Sequence, residues 1–188
     1  MSETGQARET LLAELREHAL VIGEVTLSSG QTAQYYVDAK RALLRPPALR
    51  AVGELVAAEA VERGAGAVGG LTMGADPLAC AAIASPRGDD LVAFFVRKEK
   101  KAHGLQRWIE GPPLEGGTRC LVVEDVVTTG GSTIKAIERI GEEGLEVVGV
   151  VSVVDRLAGG AEAIEAAGGR PYRALVTIDE LYPDRPDR

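Results

Sequence analysis

The chain has 188 residues, enough to bury a sizeable core without disulfide or metal staples, and the length of one domain. Its 45% hydrophobic and 26% charged residues are ordinary for a soluble globular protein. The balance of 21 Lys+Arg against 28 Asp+Glu, a net charge of -7, argues against general nucleic-acid binding, which needs a broad basic face. No apolar run approaches the roughly 18–20 residues that span a bilayer. The polar start MSETGQARET lacks the apolar region of a signal peptide. A cytoplasmic protein with no membrane partner is expected. Cys80 and Cys120 lie far apart in apolar runs and are expected to be two buried free thiols in a reducing compartment. His18 and His103 have no Cys or His at ligand spacing, which argues against structural zinc.

In chain order, TLLAELREHALVI places Leu11, Leu12, Leu15, Ala19 and Ile22 on one helical stripe. GEVTLSSGQTAQYYVDAK reads as two short strands around a turn at Ser28–Gly30. PPALRAVGELVAAEAVERG, opened by prolines and closed by Gly64, predicts a helix with Leu49, Val52, Leu55 and Val56 inward. AGAVGGLTMG is a buried strand, and DPLACAAIAS a short helix with Asp76 as its expected N-cap. DLVAFFVRK predicts a strand buried on both faces. A polar stretch from about Glu99 to Thr118 follows, long enough to be a functional loop. RCLVVED is a strand, GSTIKAIERIGEEG a helix, LEVVGVVSVVD a strand, GGAEAIEAAGG a helix and YRALVTIDEL a last strand. The tail YPDRPDR is expected to fray.

This alternation predicts a single α/β domain over 1–188, with a mainly parallel central sheet flanked by helices. The first 40 or so residues break the rhythm and are expected to form a small N-terminal hood.

The most informative stretch is LVVEDVVTTGGSTIKAI, from Leu121 to Ile137. An apolar strand ends in Glu124 and Asp125, a Thr-Thr-Gly-Gly-Ser turn follows, and a helix begins. Ligands of open parallel sheets bind beyond the carboxyl ends of the strands. Thr128, Thr129, Ser132 and Thr133 offer hydroxyls, and Gly130 and Gly131 let several N–H groups converge at a helix N-terminus. That is a phosphate cradle. No Gly-Lys-Ser/Thr closes it and no dinucleotide glycine spacing precedes it. Carboxylates ahead of the glycines suit a phosphorylated sugar, with phosphate on the amides and the ribose diol on the acids. The competing reading is a plain strand–turn–helix with a serine N-cap and incidental acids. The mutual repulsion of two carboxylates at one strand end weighs against it.

VVEDVVTTGGST resembles the 5-phosphoribosyl 1-diphosphate (PRPP) motif of type I phosphoribosyltransferases. Further stretches resemble the orotate phosphoribosyltransferase family: RKEKKAHG its mobile catalytic loop, SSGQTAQYYVDAK its N-terminal segment and VVDRLAGG its Asp-Arg segment. The elements follow the family's order from about Leu11 to Ile178.

The resemblance implies that Arg97, Lys98, Lys101 and His103 contact the diphosphate of PRPP, from a mobile loop at about 99–118. It implies that Glu124, Asp125, Val126, Val127, Thr128, Thr129, Gly130, Gly131 and Ser132 hold the ribose and its phosphate. Thr128 and Arg156 would contact orotate, and Tyr35 and Tyr36 would line the base pocket, one of them as a true contact. Magnesium would be held mainly by the substrate, with Glu124 and Asp125 nearby and no direct protein ligand. The implied assembly is a homodimer in which each loop covers the partner's site.

An arginine suits orotate independently, because it can meet a carboxylate with two parallel hydrogen bonds. For Arg156 the alternative is a surface salt bridge with Asp155. Ser28, Gln31 and Met73 stand where many family members carry cations, and Arg107 is a candidate replacement charge.

The expected reaction joins orotate and PRPP into orotidine monophosphate and diphosphate, in pyrimidine biosynthesis. Lys101 and His103 are the expected catalytic pair at the leaving group. Alternatives are a phosphoribosyltransferase for another base, such as adenine, and a non-catalytic PRPP-sensing regulator. The regulator predicts a basic face or an added DNA-binding domain that the sequence lacks.

Overall fold

Ser2 opens the first helix, α1 (Glu3–His18), by accepting the Gly5 N–H on its hydroxyl at 3.2 Å. The computed structural model describes residues 2–26, 32–100, 107–169 and 171–187. Leu11, Leu15 and the following Ala19 are fully buried, with Leu12 packed beside them. Ile22 leaves the predicted stripe. The helix ends before it, and Ile22 stands 69% exposed on strand β1 (Leu20–Thr26). β1 pairs antiparallel with β2 (Thr32–Val37), and the register is interrupted between Ile22 and Val25. The predicted turn, including Ser28 and Gln31, lies outside the described residues. This hairpin is the hood. A short helix, α2 (Lys40–Leu43), leads into α3 (Pro46–Glu62), where prolines occupy the first turn and Val52 and Val56 are fully buried.

Strands and helices then alternate: β3 (Ala67–Leu71), α4 (Asp76–Ile83), β4 (Val92–Val96), β5 (Ile109–Glu110), β6 (Arg119–Val127), α5 (Gly131–Glu142), β7 (Glu146–Asp155), α6 (Gly160–Ala166), β8 (Tyr172–Thr177) and α7 (Ile178–Leu181). The sheet order is β5-β4-β3-β6-β7-β8, parallel except for β5 against β4. The expected mainly parallel α/β architecture with a hood is borne out.

Side-chain alternation along β6 divides the core. Leu121 and Val123 join a cluster with residues of α1, α3 and α4, while Cys120 and Val122 join one with α5 and α6.

Several local expectations are corrected. Asp76 is not an N-cap: it lies inside the first turn of α4, and its Oδ2 accepts the Thr72 hydroxyl at 2.6 Å. Cys80 is exposed, because the buried face of α4 is made by Leu78, Ala79, Ala81 and Ala82. Cys120 is buried, and burial pushes its thiol up to about 12. On β4, Phe94 and Val96 are fully buried in one core cluster, but Ala93 and Phe95, on the opposite face, are only half-buried against the other. β5 also divides the stretch expected to be one loop.

The last strand stops at Thr177, and Ile178–Leu181 is helical. Thr177 and Glu180 exchange side-chain and backbone hydrogen bonds in a capping box. The tail does not fray at Tyr182–Asp187. Tyr182 packs edge-on against Tyr35 with ring centroids 5.4 Å apart, Arg185 pairs with Asp179, and the Tyr35 hydroxyl donates to Asp187 at 3.0 Å.

Candidate active site

The carboxylates near the end of β6 diverge, as alternating strand residues must. Glu124 Oε2 accepts the Thr133 hydroxyl of α5 at 3.3 Å. Asp125 Oδ2 instead accepts Lys40 Nζ at 2.9 Å, from the start of α2, while its Oδ1 accepts the Val126 N–H at 3.0 Å. Both acids are buried. Burial first, and then the neighbouring Asp125 charge, pushes the Glu124 carboxyl up to about 8. Burial opposes the charge on Lys40, but its bond to Asp125 and the charges of Asp125 and Asp38 outweigh this and hold its ammonium above the ordinary range.

Beyond the acids, Val126 packs partly on the core and Val127 is buried. The chain turns through Thr128, Thr129 and Gly130, which has φ 79° and itself caps α5. The alternative serine N-cap is therefore not formed. Gly130 must be glycine, since its Cβ would sit 2.9 Å from Ile164 Cγ1 in a backbone conformation that side chains disfavour. The first N–H groups of a helix lack intrahelical partners, so the start of α5 presents donors to this turn. Thr128, Thr129, Gly130, Gly131, Ser132 and Thr133 line a cleft of about 320 Å³ with Glu124 and Lys135.

Glu124 and Ser132 also border a second cleft of about 300 Å³, shared with Lys40, Asp125, Lys98 and the turn after β3. That turn contains the cis Thr72–Met73 peptide bond. At Gly74 an added Cβ would collide with the Asp125 carboxylate, so the small residue lets the turn lie against the acid pair. Met73 is 69% exposed.

The loop cations divide. Lys98 borders the second cleft. Arg97 turns to the β4–β5 edge, donating to Glu110 at 3.1 Å and to the Glu99 carbonyl at 3.2 Å. Lys101 and His103 lie outside the described residues. Arg107 lines a separate hollow with Pro112, Pro113 and Leu145, one that does not include the acid pair.

Arg156 follows β7, and its N–H donates to the Val127 carbonyl at 2.9 Å, tying it to the cradle's start. Its guanidinium carbon is 5.4 Å from the centre of the Tyr35 ring. Its Nε is buried with no hydrogen-bond partner among the described residues. Asp155 is engaged elsewhere, accepting the Leu157 N–H at 2.7 Å and the Tyr172 hydroxyl at 2.9 Å. Ser152 shares a 2.6 Å hydrogen bond with that hydroxyl, and burial raises the Tyr172 phenol above its ordinary range. The alternative Asp155–Arg156 pair is thus replaced by a network that fixes the turn. Tyr35 is 3% exposed and Tyr36 39%. Tyr35 meets Arg156 from within the core, while its strand neighbour points the other way.

Lys40 and the Tyr172–Ser152 pair were not singled out in the sequence. Lys40 closes the VDAK segment after the hairpin, and only the return of α2 to the end of β6 gives it meaning.

A hydroxyl- and amide-lined turn, an acid pair and flanking cations lie together at the carboxyl ends of a parallel sheet, chemistry that suits an anionic sugar phosphate. Residues 48–166 match the family model described as phosphoribosyl transferase domain. The chain is 52% identical over 179 residues to orotate phosphoribosyltransferase of Streptomyces avermitilis, covering 94% of this chain and 98% of that one. It is similar to the crystal structure of Mycobacterium tuberculosis orotate phosphoribosyltransferase in complex with Fe(III) dicitrate: TM-score 0.84, 47% identity, 94% and 99% of the chains covered. The complex of the M. tuberculosis enzyme with PRPP aligns with TM-score 0.79 and 42% identity over 93% and 98% of the chains. The chain belongs to the orotate phosphoribosyltransferase family.

Proposed function

We propose that the protein transfers the phosphoribosyl group of PRPP to orotate, giving orotidine 5'-monophosphate and diphosphate in cytoplasmic pyrimidine biosynthesis. The observation that carries this reading is the buried acid pair beside a phosphate cradle on one strand–turn–helix. The 5-phosphate sits on the N–H groups and hydroxyls of Thr128 to Ser132. Glu124 and Asp125 accept hydrogen bonds from the ribose hydroxyls. Lys98 and Lys40 face the diphosphate side, and Lys101 and His103 meet the leaving group. Arg156 pairs with the orotate carboxylate, and Tyr35, with Tyr36, borders the base.

As the bond to diphosphate breaks, positive charge grows on the anomeric carbon and a ring nitrogen of orotate adds from the opposite face. The residues assist chiefly by being fixed in place before charge develops. Closure of the basic loop excludes water that would hydrolyse PRPP.

Glu124 and Asp125 offer the hard oxygen donors that magnesium prefers. Among the described residues no group of three or more acidic, His or Cys side chains forms a metal cage. The donor set thus suits an ion held mainly by substrate oxygens. Magnesium, when bound, neutralises charge on the diphosphate. The protein acts as a homodimer, each loop covering the partner's site.

The test is incubation with PRPP, magnesium and each nucleobase in turn, following the absorbance change of orotate. Consumption of orotate alone is expected. Turnover of adenine instead would overturn the assignment. Lys101→Ala should abolish most turnover without unfolding the chain.

A further inference from the structure

The last turns of α5 do more than close a helix. Arg139 donates from Nη1 to the Arg97 carbonyl at 2.7 Å and from Nη2 to the Lys98 carbonyl at 3.0 Å. The same guanidinium stacks over the Trp108 ring, 4.2 Å from its centre. The Trp108 indole N–H donates to Glu142 at 2.6 Å, and its backbone N–H donates to Glu143 at 2.7 Å. Lys100 approaches the other partners, 3.7 Å from Glu142 and 5.1 Å from the Trp108 ring centre. Finally, the Arg97 N–H donates to the Trp108 carbonyl at 2.9 Å, joining the two chain segments directly.

Two segments that are distant along the loop are therefore bound to one helix end. That helix begins at the cradle. Its C-terminal end favours a cation such as Arg139, and a guanidinium can serve two carbonyls and one ring face at once. We infer that Arg139 and Trp108 are positioning residues for the diphosphate half of the site: they fix the backbone at Arg97 and Lys98, and so hold the Lys98 side chain at the cleft it shares with Glu124 and Asp125. α5 then serves both ends of PRPP, the phosphate at its start and the diphosphate through its finish. This rests on the functional reading above.

The test uses the full chain and PRPP. Trp108 is the only tryptophan, so its emission reports on the clamp and gives PRPP affinity without turnover. Arg139→Ala should weaken PRPP binding and raise its KM on the order of tenfold, the loss of one or two net hydrogen bonds. At saturating PRPP, kcat and the orotate KM should stay within about twofold of wild type. Arg139→Lys keeps the charge but not the planar fork, and should fall between. If Arg139→Ala fails to fold, Arg139→Lys and Trp108→Phe carry the same comparison, the latter by KM alone. Equal PRPP affinity in wild type and variants overturns the inference, as does a loss in kcat with both KM values unchanged, the signature of a reduced folded fraction. A wild-type protein that neither binds PRPP nor consumes orotate sinks the functional reading itself, and this inference with it.

Discussion

Lys40 and Asp125, 85 positions apart in sequence, meet at 2.9 Å and join the N-terminal part of the chain to the centre of the sheet. Asp125 is buried beside a second acid, and Lys40 is the cation that hydrogen-bonds its carboxylate. Lys40→Met should raise the PRPP KM by about tenfold, less than the loss of a fully buried charge pair would cost, because the Lys40 side chain is 40% exposed. Steady-state kinetics at varied PRPP check this; an unchanged KM removes Lys40 from the site.

Glu124 carries a pH signature. Its carboxyl is raised from 4.5 to about 8 in the fold. Across that window the folded protein retains a proton that the unfolded chain releases, so stability falls as pH rises. Glu124→Gln keeps an acceptor for Thr133 and has no proton to lose. Without substrate, its melting temperature should exceed that of wild type at pH 8, and the gap should narrow towards pH 5. A gap independent of pH in calorimetry contradicts the assignment.

Gly160 supports the cradle from below. An added Cβ would lie 2.6 Å from the Thr128 carbonyl oxygen and 3.1 Å from the Gly130 nitrogen, backbone atoms that cannot swing aside. Gly160→Ala should cost about 1–3 kcal/mol in denaturant unfolding, the usual range for overpacking. The surviving folded enzyme should also bind PRPP less tightly. Wild-type behaviour in both measurements would show that the turn can yield.

Arg156 has a buried Nε without a partner among the described residues. Arg156→Met preserves much of the side chain's length but removes both donors for a carboxylate. The orotate KM should rise on the order of a hundredfold, the loss of strong charge-assisted bonds. The PRPP KM should change little. Equal effects on both substrates would point to disruption of the Tyr35 contact instead.

Much of this was legible in the chain. The apolar run into Glu124 and Asp125, followed by TTGGST, marks a strand, a turn and a helix by local chemistry alone. The expected and observed elements agree there because each residue's preference matches its final place. The ends were harder. The Thr-Ile-Asp-Glu capping box at Thr177 was present as a signal but hidden inside an apolar run that reads as strand. Ile22 fits a helical period and yet lies on a hairpin, since a period of 3.6 carries no mark of where a helix stops. The tail's docking depends on Tyr35, about 150 residues away, and no local pattern contains it. Lys40 and Arg139 are likewise defined only by partners brought from elsewhere.

The central position of β6 also has a kinetic side. Its neighbours in the sheet are β3, made from residues 67–71, and β7, made from residues 146–155. The turn that follows it rests on Gly160 and Ile164 of α6. Parallel pairing across such separations must pay loop closure before any contact rewards it, and it slows folding. During synthesis from the N-terminus, the segment 124–133 therefore emerges well before the elements that shape it. The turn at Thr128–Gly130 can be completed only after α6 has left the ribosome, which makes competence for substrate a late property of the nascent chain.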